Sequence, residues 1–245
     1  MKALRAVRSL AVWTGITIAT VAFGLPSIVA AFLPPRGDWF LYFARGWSRT
    51  ILFFSGVRVR VLHPERLPRS RGLVIVSNHE SYADILVLLA NLPLQVRLMA
   101  KRSIFRVPIL GWSIRAAGFV PVDRGVRSRG AATVEAALKL LKSGRSIVLF
   151  PEETRTRDGE LLPFKPGAAL LAIRSGFTLL PVAIAGTRRV LPRGTLDMTP
   201  GRVVLSIGTP IPVAGRSARD RDEVTQELRQ VIAALRDEAS SQIGD

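Results

Sequence analysis

Hydrophobic and polar positions follow three rhythms along the chain. Residues 9–35 form an uncharged run of 27, apolar on every side, which predicts a helix. At about 1.5 Å per residue it would reach roughly 40 Å, enough to cross a hydrocarbon core. Pro26 lies inside the run and predicts a kink or an end. The second rhythm is helical. Phe40, Phe43, Trp47, Ile51 and Phe54 recur at spacings of 3, 4, 4 and 3, with Asp38, Arg45 and Arg49 opposite. From about residue 57 onward, short apolar runs alternate with longer amphipathic stretches. They predict strands at 58–62, 73–77, 96–100, 119–122, 146–150, 179–185 and 203–207, and helices at 82–90, 108–117, 130–142, 167–174 and 221–239. This alternation predicts an α/β fold with a mostly parallel mixed sheet flanked by helices.

Composition narrows the function classes. The 245 residues are 48% hydrophobic and carry a net charge of +17, a pairing that excludes disorder. There is no Cys, so disulfide scaffolds and thiolate zinc sites are excluded, and His63 and His79 are too few for a His-rich metal site. A basic and hydrophobic chain suits a membrane with anionic lipid, or nucleic acid. Ten of the 17 aromatics precede Ser55, beside the apolar run. Trp and Tyr next to Arg suit a lipid headgroup layer. Residues 1–57 therefore read as a membrane-associated two-helix hairpin turning near Pro34-Pro35, and residues 58–245 as the α/β domain. Residues 97–129 hold eight basic residues and one acid. Only Phe105, Trp112 and Phe119 accompany them, too few for base stacking, so nucleic acid is not an expected partner.

Three charged clusters follow apolar strands. In Ser77-Asn78-His79-Glu80-Ser81-Tyr82-Ala83-Asp84, His79 stands at the carboxyl end of a strand, where open α/β sheets place ligands. Asp84, about one helical turn on, is within reach of one imidazole nitrogen, leaving the other as a general base. Ser81 reads as a helix cap. Phe150-Pro151-Glu152-Glu153-Thr154-Arg155 follows a second strand, with Arg155 suited to a phosphate or to an ion pair with Glu152. Gly118 to Arg124 spans a third strand with Arg at its end. Convergence of the three on one face is the topological expectation.

These segments, in this order, resemble the motifs of the glycerolipid acyltransferases. His79-x4-Asp84 resembles the first, Gly118 to Arg124 the second, residues 150–155 the third and Leu180-Pro181-Val182 the fourth. Phe164-Lys165-Pro166-Gly167-Ala168 also fits, and the resemblance covers roughly residues 57–211. Two residues depart from the pattern: Pro121 where the family often has Phe, and Glu153 where it usually has Gly.

The resemblance implies transfer of an acyl chain from acyl-CoA or acyl carrier protein to the hydroxyl of a lysophospholipid, most of all lysophosphatidic acid. Neither a cofactor nor a metal is implied. His79 would act as base and Asp84 as its orienting partner, with Lys101, Arg124 and Arg155 on the acceptor phosphate. Asn78, Gly118, Glu152 and Thr154 would position substrate, and backbone donors after His79 would face the oxyanion. Glu153 raises an alternative acceptor carrying an amine; glycerol-3-phosphate is another. A non-catalytic basic binding protein is the rival class. A cytoplasmic donor, together with Lys2, Arg5 and Arg8 held inside, places the protein at the inner cell membrane with its α/β domain on the cytoplasmic face.

Overall fold

The computed structural model describes residues 2–34, 37–70, 72–122, 130–195 and 197–244. Seven strands form one sheet: β1 (Val57–Leu62), β2 (Val74–Ser77), β3 (Val96–Lys101), β4 (Val120–Val122), β5 (Ser146–Leu149), β6 (Leu179–Ala185) and β7 (Gly201–Ile207). Their order is β1-β7-β6-β2-β5-β3-β4. Every adjacent pair is parallel except β6 with β7. The helices are α1 (Lys2–Ala30), α2 (Phe40–Phe54), α3 (Ala83–Asn91), α4 (Leu110–Ala116), α5 (Gly130–Lys142), α6 (Gly167–Ser175), α7 (Thr187–Val190) and α8 (Arg221–Ser241). The predicted α/β fold with a mostly parallel mixed sheet is the observed one. Among the described α-helices, α7 has no counterpart in the pattern, since a single turn is too short to show a period.

Strand alternation divides the core into two layers. Ile75, Val148, Leu180, Val182 and Ile184 face one cluster together with α2 and α3. Val74, Val76, Ile147, Leu179 and Ala183 face the other, covered by α5, α6 and α8. A period of two on buried strands sends neighbours to opposite faces, and both faces are covered.

α1 continues through Pro26 to Ala30, so the proline does not end it. Its Ser9–Ala30 segment is long and apolar enough to cross a membrane, and only 11% of its most apolar window is buried. α2 runs back along it: Phe23 abuts Gly46, and Trp47 Nε1 donates to Thr20 Oγ1 at 3.1 Å. The buried face of α2 is Phe40, Leu41, Ala44, Ser48, Ile51 and Leu52; of the apolar stripe, Phe40 and Ile51 are buried, Phe43 and Trp47 half-buried and Phe54 exposed. Phe54, Phe53, Tyr42 and Trp39 are exposed. The shift has a polar cause. Arg45 donates to the carbonyls of Leu92 and Leu94, and Arg49 to that of Ala90, satisfying the C-terminal end of α3. The arginines thus face the α/β domain, and the helix rotates accordingly.

Arg97, the first basic residue of the segment 97–129, does not reach the surface. It is fully buried and donates to the carbonyls of Ala117, Val96 and Gly37 and to Asp38, which also pairs with Arg145. It ties the α1–α2 connection to β3.

Candidate active site

The site forms where parallel strands end. β2 lies between β5 and β6, and β3 lies beyond β5. His79 follows β2, residues 150–155 follow β5, and Lys101 ends β3. A cleft of about 270 Å³ brings together His79, Lys101, Thr154 and Arg155 with Tyr82 and Arg193. Its apolar wall includes Ile85, Leu98, Met99, Ile104 and Phe150. Arg124 lies outside the described residues, so the second cluster is followed only to Val122 of β4.

Asp84 organises the first loop. It is fully buried. One of its oxygens, Oδ2, meets His79 Nδ1 at 2.8 Å and accepts the backbone N–H groups of Glu80 and Ser81 at 2.8 and 2.9 Å. The other, Oδ1, accepts the Thr187 hydroxyl at 2.5 Å. The His79 ring stacks on Phe150 with centroids 4.1 Å apart. With Nδ1 engaged, Nε2 is the nitrogen left to exchange a proton. The amides of Glu80 and Ser81, implied as oxyanion donors, are instead spent on Asp84, because a sharp loop turns them onto the nearest carboxylate. Ser81 is fully buried; its hydroxyl donates to the Leu191 carbonyl and accepts the Ala83 amide. It closes the helix start and offers no free nucleophile.

Several residues implied to position substrate hold backbone instead. Asn78 pairs twice with Ile184, donating to its carbonyl and accepting its amide, both at 2.8 Å, and so extends the β2–β6 ladder by one side chain. Glu152 accepts the amides of His79 at 2.8 Å and Leu162 at 3.0 Å, rather than pairing with Arg155. Gly118 adopts φ +80° at the end of α4. There the Phe119 amide reaches the Ile114 carbonyl and the Gly118 amide that of Arg115, a Schellman turn that launches β4. Thr154 lines the cleft, half-buried. Lys101 is exposed at its edge.

Arg155 lies over the Tyr82 ring, its Cζ 3.7 Å from the centroid, while its carbonyl accepts from Arg193. Tyr82, Thr187 and Arg193 carry no signal in the sequence: the first sits at an unmarked place inside a motif, the others beyond the last motif. Two buried carboxyls flank the pair. Burial pushes Glu80 up to about 7, helped by the Asp84 charge. Burial also pushes Glu152 up to about 7, against the lowering effect of its two backbone bonds. Glu153 is exposed with φ +56°, which explains why glycine suits this place: the backbone is left-handed.

The Acyltransferase family model matches residues 58–185. The chain is 33% identical over 222 residues to the chloroplastic 1-acyl-sn-glycerol-3-phosphate acyltransferase LPAT1 of Arabidopsis thaliana, covering 90% of this chain and 60% of that one. It is 29% identical over 189 residues to the 1-acyl-sn-glycerol-3-phosphate acyltransferase of Borreliella burgdorferi, covering 77% and 75%. The crystal structure of the 1-acyl-sn-glycerophosphate (LPA) acyltransferase PlsC from Thermotoga maritima superposes with a TM-score of 0.83 at 27% identity, covering 95% of both chains.

Proposed function

Because this chain belongs to the acyltransferase family, we propose that it moves a fatty acyl chain from a thioester to the free hydroxyl of lysophosphatidic acid, giving phosphatidic acid. The observation that carries the reading is the buried His79–Asp84 pair opening onto a cleft edged by Lys101, Arg155 and Arg193. Similarity to named 1-acyl-sn-glycerol-3-phosphate acyltransferases supports the acceptor. The acceptor oxygen attacks the thioester carbonyl as His79 Nε2 takes its proton. Asp84 stabilises the resulting imidazolium. The C–S bond then breaks, and the thiolate of CoA or acyl carrier protein recovers the proton. Direct transfer needs no acyl-enzyme, in keeping with the buried Ser81. Lys101 and Arg155 hold the acceptor phosphate with Arg124; Arg fits phosphate oxygens in pairs. The exposed Glu153 is not among the cleft-lining residues, which favours a phosphate acceptor over one with an amine.

Residues 1–57 anchor the protein to the inner membrane, with the α/β domain facing the cytoplasm and α1 supplying the apolar surface. The test is purified protein with acyl-CoA and acyl carrier protein as alternative donors and a panel of lysophosphatidic acid, glycerol-3-phosphate and a lyso-aminolipid. Phosphatidic acid should dominate. His79→Ala should lose about 100- to 10,000-fold in rate while still folding and binding vesicles. Parental activity in His79→Ala would sink the reading and leave a binding protein.

A further inference from the structure

Asp84 receives three of its four contacts from its own loop. His79, Glu80 and Ser81 all address Oδ2. The contact to Oδ1 is different: Thr187 lies 103 residues away, at the start of α7 beyond the end of β6. Rotation about the Cβ–Cγ bond would carry Oδ2 off the imidazole, and the three loop contacts resist it at that oxygen alone. A donor on the second oxygen stops it. Thr187 is fully buried, so its hydroxyl is shielded from bulk solvent. Its hydroxyl has one proton, given to Asp84. Glu80 Oε2 is a second acceptor within reach of the same hydroxyl, at 3.5 Å against 2.5 Å for Asp84, so the Asp84 contact is the closer one.

We propose that Thr187 is a positioning residue for the reaction, its hydroxyl locking the Asp84 carboxylate in the plane that aligns His79. This rests on His79 being the base, as proposed above. Thr187 brings to the pair an element outside all four motifs. β6 lies beside β2, so the residue that follows β6 arrives next to the residues that follow β2. The same segment continues to Arg193 at the cleft. Thr187 behind the Asp84–His79 pair and Arg193 at the cleft edge therefore lie on one stretch of chain.

The experiment is steady-state kinetics of the full chain in phospholipid vesicles, with lysophosphatidic acid and an acyl-CoA. Thr187→Val keeps the shape and removes the donor. A hydrogen bond to a charged group is lost, so kcat should fall about 10- to 100-fold. KM for lysophosphatidic acid should stay within about twofold, because Thr187 does not touch the cleft. Thr187→Ser restores a hydroxyl and should recover most of the rate. A Thr187→Val enzyme with parental kcat overturns the proposal. So does a loss appearing mainly in KM, or a Thr187→Ser enzyme as slow as Thr187→Val with the same thermal midpoint. If Thr187→Val does not fold, Thr187→Ala is compared with Thr187→Ser; equal kcat in those two overturns it as well. An inactive His79→Ala beside an active Thr187→Val removes this inference alone, whereas an active His79→Ala removes the reaction reading itself.

Discussion

At the residue scale, one departure from the family pattern, Glu153, has a physical explanation. Glu153 occupies a left-handed backbone with its side chain in solvent. An L residue there costs roughly 1 kcal/mol that glycine avoids, partly offset by the entropy glycine loses on folding. Glu153→Gly should therefore raise the thermal midpoint by about a degree and leave acceptor preference unchanged. A changed preference, read on the lysolipid panel, would give the Glu153 side chain a role in recognition after all. Glu80 makes a pH prediction. In the folded protein its carboxyl holds a proton up to about pH 7, against an ordinary 4.5. The native state thus binds more protons than the unfolded chain between those values, and stability falls as pH rises from about 4.5 to 7. Glu80→Gln should flatten that fall, with a gain over the parent at pH 8 of up to about 3 kcal/mol and little gain at pH 4.5. Urea midpoints at the two pH values check it. A parent-like slope in Glu80→Gln would mean that Glu80 ionises freely in the folded state.

At the element scale, hydrogen bonds decide which faces meet. The stripe of aromatics at 40–54 predicted a helix but not its rotation, because the apolar period leaves two adjacent faces nearly equal. The carbonyls ending α3 break the tie by drawing in Arg45 and Arg49. Arg97 performs a similar service between the α1–α2 connection and β3. Removing its side chain leaves Asp38 and several carbonyls short of donors. Arg97→Ala should cost about 3 kcal/mol or more in chemical denaturation. A loss below about 1 kcal/mol would show that water or Arg145 replaces it.

At the scale of the whole molecule, an apolar helix and a charged cleft share one body. α1 packs against α2, and its Gly24 carbonyl accepts from Ser113 of α4. Under the proposed function, an anchor joined this closely to the α/β domain would keep the cleft near the lipid surface, within reach of a lysolipid from the membrane side. A helix hairpin confined to one leaflet should keep a cysteine at Pro34→Cys unlabelled by an impermeant reagent added outside intact cells. Labelling from outside would require the turn to cross the bilayer.

The boundary between what the sequence determined and what the fold decided follows the range of the forces involved. Apolar period is local, so the seven strands, the long helices and their alternation were legible in the chain itself. So was the spacing of His79 and Asp84, which lie on one short loop. Asn78, Glu152 and Gly118 were visible as marked residues, yet what they touch was not. Ile184 and His79, the partners of Asn78 and Glu152, are set by which chain segments the fold lays side by side, whereas Gly118 closes a local turn onto Arg115. Thr187 and Arg193 were hidden for the same reason. A buried amide or carboxylate must find a partner, but only the order β6-β2-β5 decides which distant residue is close enough to be one.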